Sequence, residues 1–116
     1  MTAQSMTAVV VINAVLAFAL ELGMLWAYGD WGWRVTTTTW LRWCLALGVP
    51  ALAIVMWALW GAPRSATRLG PPWLYVFEWS MFATAAVAQY SLGREQLALG
   101  YILIASLNLA IASRLS

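Results

Sequence analysis

The stretch that decides the fold is 57-WALWGAPRSATRLGPPWLYVFE-78, which lies between two strongly apolar regions. Its three prolines, of which Pro63 is the first, prevent one continuous helix from running through it, and its glycines loosen the backbone further. Arg64 and Arg68 require water or phosphate as neighbours, so this segment is not expected in lipid. It therefore predicts a hinge loop, residues 61–71, between two helical hairpins in a membrane.

Composition places the whole chain in a membrane. Of its 116 residues, 64% are hydrophobic and 9% are charged, whereas soluble domains are typically about 45–50% apolar and about 25% charged. A chain of this length is expected to form a single domain, residues 1–116. It contains no His, and Cys44 is its only cysteine. We therefore expect no disulfide within the chain, no bound metal and no cofactor. A net charge of +2 does not suggest nucleic-acid binding.

Apolar segments long enough to cross a bilayer core of about 30 Å occur at four places. They are residues 6–28, 39–60, 72–91 and 94–114. The first contains no Lys or Arg before position 13, which favours a membrane span over a cleaved signal peptide. The segment between the first two spans, Gly-Asp-Trp-Gly-Trp-Arg at 29–34, predicts a turn at the membrane interface. The predicted fold is all-α: a polytopic membrane protein whose four transmembrane helices form a bundle of two antiparallel hairpins.

Polar residues at the end of the spans opposite the hinge form one candidate site. Counted at 1.5 Å of helix rise per residue, Glu21, Arg42 and Gln89 lie toward the ends nearest the first and third turns. Glu21 and Arg42 are the obvious ion pair of this group. The three residues are a candidate ligand or ion site. An acid within a span is usually functional, but here Arg42 could equally serve only to neutralise it.

A second polar layer is predicted on the hinge side. Asn13, Glu78 and Asn108 each lie roughly 9–10 Å into their spans, so we expect them to converge at one depth inside the bundle. Such a layer could bind a ligand, or it could hold the helices together through interhelical hydrogen bonds. Pro63, Arg64 and Arg68 of the hinge are the remaining candidate residues, since either arginine could reach Glu78.

These same residues carry a resemblance to a known family. An acid in the first span, Glu21, precedes the aromatic Gly-Trp segment 29–33, and Trp57, Trp60, Ala62-Pro63-Arg64, Arg68-Leu69 and Glu78 follow. This arrangement resembles the small bacterial YrdB-type membrane proteins of the DUF2568 family over nearly the whole chain. Ala58 and Trp60 depart from the family pattern, which has Gly and Phe there. The resemblance implies a four-span protein of the bacterial inner membrane and supplies no activity.

Two functions remain open from the sequence. One is transport or binding of a small molecule or ion through the intramembrane acidic and polar residues. The alternative is an accessory or assembly subunit that packs against a larger membrane complex. No enzyme is predicted, because no catalytic residues with an evident base are present. The expected partners are membrane lipids and either further copies of the chain or a larger complex. We expect the termini and the hinge in the cytoplasm.

Overall fold

The computed structural model describes residues 2–115. These residues form four helices: α1 (Ala3–Arg34), α2 (Thr39–Trp60), α3 (Trp73–Ser91) and α4 (Glu95–Leu115). Within residues 2–115 the structure contains no strand. The predicted all-α fold is confirmed, and α2, α3 and α4 begin and end close to the predicted bounds.

Helix α1 is the centre of the bundle. It packs against each of the other three helices, whereas α3 and α4 pack on α1 and on each other, and α2 packs mainly on α1. The buried core accordingly lies where α1 meets the α3–α4 hairpin. Ala85 and Ala105 are 1% and 0% exposed there, and these small side chains allow the helices to approach closely. Only Ala53 is buried on α2.

Two tyrosine hydroxyls form hydrogen bonds between α1 and the α3–α4 hairpin. The Tyr28 hydroxyl donates to the Met81 carbonyl on α3 at 2.6 Å, and the Tyr101 hydroxyl on α4 donates to the Leu20 carbonyl at 2.7 Å. Each bond satisfies a hydroxyl that would otherwise be unpaired in an apolar interior. These bonds fix the rotation of α1 and therefore decide which of its side chains face the hairpin.

The predicted turn at 29–34 is wrong, because α1 continues as a helix to Arg34. The two glycines of this segment serve helix packing. A Cβ atom at Gly32 would lie 2.5 Å from the Leu45 backbone carbon, and one at Gly29 would lie 3.2 Å from the Ala46 carbonyl oxygen. Three residues apart, both glycines lie on the face of α1 that meets α2. The glycines therefore let two backbones touch instead of turning the chain.

Three of the four helices, α1, α2 and α4, are long and apolar enough to cross a membrane. Helix α1 has 32 residues and is therefore about 48 Å long, so it extends beyond a hydrocarbon core of about 30 Å. Helix α3 has 19 residues and is more polar, since it carries Glu78 and Gln89. The structure is that of an all-helical bundle of a membrane protein, and the fourth span remains a prediction.

The hinge loop folds back over the end of α2. The hydroxyls of Ser65 and Thr67 both donate to the Leu59 carbonyl, and the Leu69 backbone N–H donates to the Trp60 carbonyl. These donors satisfy carbonyls that have no partner at a helix C-terminus. The other hairpin turn uses Gly93, whose φ of 86° suits glycine. In both linkers, the residues that predicted a break between helices also determine the conformation of the loop.

Candidate functional site

Asn13 and Asn108 join α1 to α4 through three hydrogen bonds. The Asn108 Nδ2 atom donates to the Asn13 Oδ1 and backbone O atoms at 2.8 and 2.9 Å, and the Asn13 Nδ2 atom donates to the Asn108 carbonyl at 3.3 Å. Asn108 is 1% exposed and Asn13 is 9% exposed. The predicted contact of these two asparagines is therefore present.

A cavity of about 330 Å³ lies beside this asparagine pair, between α1, α3 and α4. Glu78 lines it, so the three residues of the predicted second layer do share one cavity. Glu21 lines it as well, although the depth count placed Glu21 in the other layer. The cavity runs along more than two turns of α1, from Asn13 to Glu21, and so collects side chains from both predicted depths. We call it the polar cavity. Its other lining residues are Val10, Ala14, Ala17, Phe82, Leu109, Ala112 and Leu115.

The two carboxyl groups of the polar cavity are unpaired within the described part of the chain. Neither Glu21 nor Glu78 makes a hydrogen bond, and neither has a cation within ion-pair distance, because the ion pairs of residues 2–115 both belong to Asp30. The charged groups that act on Glu78 at longer range are Glu21 and Arg68. Two half-buried acids thus share a cavity, with one arginine at a distance as the counter-charge.

The predicted ion pair between Glu21 and Arg42 is wrong. The Arg42 guanidinium lies over the Trp33 ring, 4.4 Å from its centroid, and the Arg42 Nε atom donates to the Trp33 carbonyl at 2.8 Å. Because α1 continues to Arg34, the residue that meets the first turn of α2 is Trp33, which lies about 18 Å further along α1 than Glu21. The stacked geometry is a cation–π contact, and it leaves Glu21 without this cation.

Gln89 belongs to a third group of residues, at the end of α1. Its Nε2 atom donates to the Ala27 carbonyl at 3.1 Å and to Asp30 Oδ2 at 3.2 Å, while its Oε1 atom accepts from Arg94 at 2.7 Å. Asp30 also forms ion pairs with Arg94 at 2.6 Å and with Arg34 at 2.8 Å. The structure therefore does not bring Glu21, Arg42 and Gln89 together as one site.

The sequence does not predict this cluster of Asp30, Arg34, Gln89 and Arg94, because the pattern at 29–34 places Asp30 in a turn. Two signals point to it. Asp30 and Arg34 have the i, i+4 spacing of a helical ion pair, and Arg94 lies in the short turn that begins α4. The cluster ties α1 to the turn between α3 and α4, so its first role is structural.

Loss of the Asp30 carboxylate should loosen this end of the bundle. Asp30→Asn is expected to lower the free energy of unfolding by about 1 kcal/mol, because partly exposed ion pairs contribute little each. The Arg94 side chain is 30% exposed and the Arg34 side chain 53%, so most of the loss should come from Arg94. Thermal unfolding in detergent at low and high salt measures this, since salt screens the pairs. Equal stability of Asp30→Asn and the control Glu95→Gln would contradict it.

The hinge residues are placed differently from one another. Pro63 and Arg64 are exposed. The Arg68 Nε atom donates to the Gly61 carbonyl at 3.2 Å, so Arg68 braces the loop and acts on Glu78 only over distance. Neither arginine folds in to pair with Glu78.

Within residues 2–115, no three His, Cys, Asp or Glu side chains converge in a way that could hold a metal ion. The polar cavity offers two carboxyl groups and the asparagine pair. Carboxylate and amide oxygens are ligands for hard cations and acceptors for ammonium groups. With only two carboxyl groups, the arrangement fits a proton or a monovalent cation.

Fold and site together define a small all-helical membrane protein with two unpaired acids in an open cavity between its helices. The chain belongs to the family described as "Protein of unknown function (DUF2568)", whose model matches residues 15–106. This confirms the resemblance to the DUF2568 family. The matched region includes Glu21 and Glu78 and ends just before Asn108. Neither the curated proteins nor the solved structures contain a match to this chain.

Proposed function

We propose that this protein binds a small monovalent cation or a proton between Glu21 and Glu78 and moves it across the membrane. The observation that carries the proposal is the presence of two carboxyl groups with no ion-pair partner in one cavity of about 330 Å³. An ionised acid at membrane depth costs several kcal/mol unless it is paired. A bound cation or proton removes that cost.

The asparagine pair supports the same proposal. Asn13 and Asn108 line the cavity beside the acids. An amide oxygen in that position can complete the coordination of a cation held by a carboxylate. The pair also ties α1 to α4, so binding in the cavity is coupled to the packing of the central helix.

Displacement of protons tests the binding step. Na⁺ or methylammonium is added to the purified protein in weakly buffered detergent solution, and released protons are followed with a pH indicator. We expect the wild-type protein to release protons and Glu21→Gln and Glu78→Gln to release fewer. Glu95→Gln is the matched control, because Glu95 is exposed at the first turn of α4. Equal release from the wild-type protein and from the variant that lacks both glutamates would refute the proposal.

The accessory-subunit alternative rests on α2. This helix packs mainly on α1, and its outer side carries large exposed apolar residues, among them Leu47 and Val55. Photo-crosslinkers at positions 47 and 55 would distinguish the two functions. A defined adduct with one protein, absent when the crosslinker is placed at Leu107 on α4, would favour the accessory role. Crosslinks to lipid alone would favour the cation-binding role.

For the location we propose the bacterial inner membrane, with the termini and hinge in the cytoplasm. On the hinge side, Arg64, Arg68 and Arg114 make no ion pair within residues 2–115, whereas Asp30 pairs with two of the three arginines on the other side. Unpaired arginines favour the cytoplasmic face, where anionic lipids attract them. A periplasmic reporter fused after Ser116 is expected to be inactive, and an active one would reverse the orientation.

A further inference from the structure

A second cavity lies on the opposite side of Glu21, between α1 and α2. It has a volume of about 220 Å³, and Glu21 is its only charged lining residue. We call it the apolar cavity. Two of its uncharged lining side chains are aromatic, and the other uncharged ones are aliphatic or thioether side chains. Its lining residues other than Glu21 are Phe18, Leu22, Met24, Leu25, Ala53, Ile54 and Trp57.

Glu21 is the residue that the two cavities share. A third, very small cavity of about 10 Å³ lies between them and is lined by both Glu21 and Glu78. Trp57 borders this small cavity as well as the apolar one. The Glu21 side chain therefore stands between a polar compartment and an apolar compartment of the same bundle.

We propose that the apolar cavity binds a lipophilic organic cation, a molecule with an apolar or aromatic body and one ammonium group, whose charge is met by Glu21. This deepens the proposed function, on which it rests, by naming a second class of cation that uses the same acid. The body of the ligand lies against Phe18 and Ile54, and its ammonium group lies between the Glu21 carboxylate and the Trp57 ring. Ammonium groups bind tryptophan faces well.

Charge complementarity selects this ligand over a lipid acyl chain. An acyl chain would fill the apolar walls but bring no positive charge to Glu21, with which no cation of the described chain forms an ion pair. A lipophilic cation can place its apolar body against the apolar walls and its positive charge beside the Glu21 carboxylate. Phe18, Leu22 and Ile54 are each about half exposed or more at the rim, so the cavity opens on the outer surface of the bundle, where such molecules partition into the bilayer.

Sharing one carboxylate makes the two cations competitors. When the organic cation occupies the apolar cavity, Glu21 is no longer available to a proton or small cation in the polar cavity. Each therefore lowers the apparent affinity of the other, because both bind the same group. Exchange of the two at Glu21 would couple their movement.

Equilibrium binding of a defined probe tests the inference. Tritiated benzyltrimethylammonium is titrated into the full-length protein in nanodiscs, with binding to empty nanodiscs subtracted. Glu21→Gln is expected to weaken binding about tenfold or more through loss of the counter-charge. Ile54→Trp, which fills the apolar cavity and leaves both acids intact, should weaken it similarly. Glu95→Gln is the matched control, because Glu95 is exposed at the first turn of α4 and lines none of these cavities, and it should bind nearly as the wild-type protein does.

The results that would contradict the inference differ from the result that would contradict the proposed function. If Glu78→Gln weakens binding and Ile54→Trp does not, the probe lies in the polar cavity; the inference is then wrong and the proposed function stands. If neopentylbenzene, the neutral molecule of the same shape, competes as well as the unlabelled cation, the cavity recognises apolar volume alone and the inference is wrong. Unchanged binding in Glu21→Gln also overturns it. Failure of the proposed function would appear in a separate experiment: the wild-type protein would then release no more protons on addition of Na⁺ than the variant that lacks both glutamates.

Discussion

Gly32→Ala is expected to separate α1 from α2 and to destabilise the protein by about 3 kcal/mol, the upper part of the usual range for overpacking. The added Cβ atom would lie 2.5 to 2.7 Å from three backbone atoms of Leu45 and Ala46. Backbone atoms of a packed helix cannot rotate away as a side chain can. The whole of α2 would have to move outward, although it is held mainly by α1.

Thermal unfolding in detergent, followed by tryptophan fluorescence, measures this effect. Gly48→Ala on α2 and Gly100→Ala on α4 are matched controls, because a Cβ atom at either position meets nothing within 4 Å. Alanine is favoured over glycine in a helix by about 0.8–1.0 kcal/mol, so the controls should be as stable as the wild-type protein or slightly more so. A Gly32→Ala protein as stable as Gly48→Ala would show that the helices do not touch there.

Asn108→Leu is the second substitution with a large expected effect. It removes the two hydrogen bonds that the Asn108 amide donates to the Asn13 Oδ1 and backbone O atoms and leaves the buried Asn13 Oδ1 atom without that donor. Interhelical hydrogen bonds contribute roughly 0.6–2 kcal/mol each, and a buried unpaired polar group costs about 1–3 kcal/mol. We expect a total loss of about 3 kcal/mol, since these contributions overlap.

A double-mutant cycle checks the asparagine pair. Replacing both Asn13 and Asn108 by leucine should recover much of the loss, because no unpaired amide is then left in the apolar interior. Unfolding of the two single variants and of the double variant in the same detergent gives the coupling directly. Strictly additive losses would mean that the two side chains act independently.

The fold could be predicted from the sequence wherever strong local signals mark a boundary. The prolines and arginines of the hinge and Gly93 of the last turn separate apolar segments, and α2, α3 and α4 follow them closely. The failure at 29–34 has a physical cause. Gly29 and Gly32 signal a turn in water, but in a membrane bundle glycines three residues apart on one face permit close helix packing.

The candidate site was predicted in part, because depth is readable from a sequence and helix rotation is not. Asn13 and Asn108 were predicted to meet because they lie at equal depth, and their side chains are indeed hydrogen-bonded to each other. The same reasoning paired Glu21 with Arg42, but their faces point to different neighbours: Arg42 stacks on Trp33 and Glu21 faces two cavities. The tyrosine bonds that set the rotation of α1 depend on residues more than 50 positions away, and no local pattern reveals them.

The central claim is that Glu21 and Glu78 face one shared cavity. It is tested most directly by thiol bridging in a Cys44→Ser background that carries Glu21→Cys together with Glu78→Cys. Dibromobimane fluoresces strongly only after it bridges two thiols, and the bridged peptides are identified by mass spectrometry. We predict a bridge between positions 21 and 78 and none when Glu21→Cys is combined with Arg42→Cys. A bridge between 21 and 42, with none between 21 and 78, would contradict the claim.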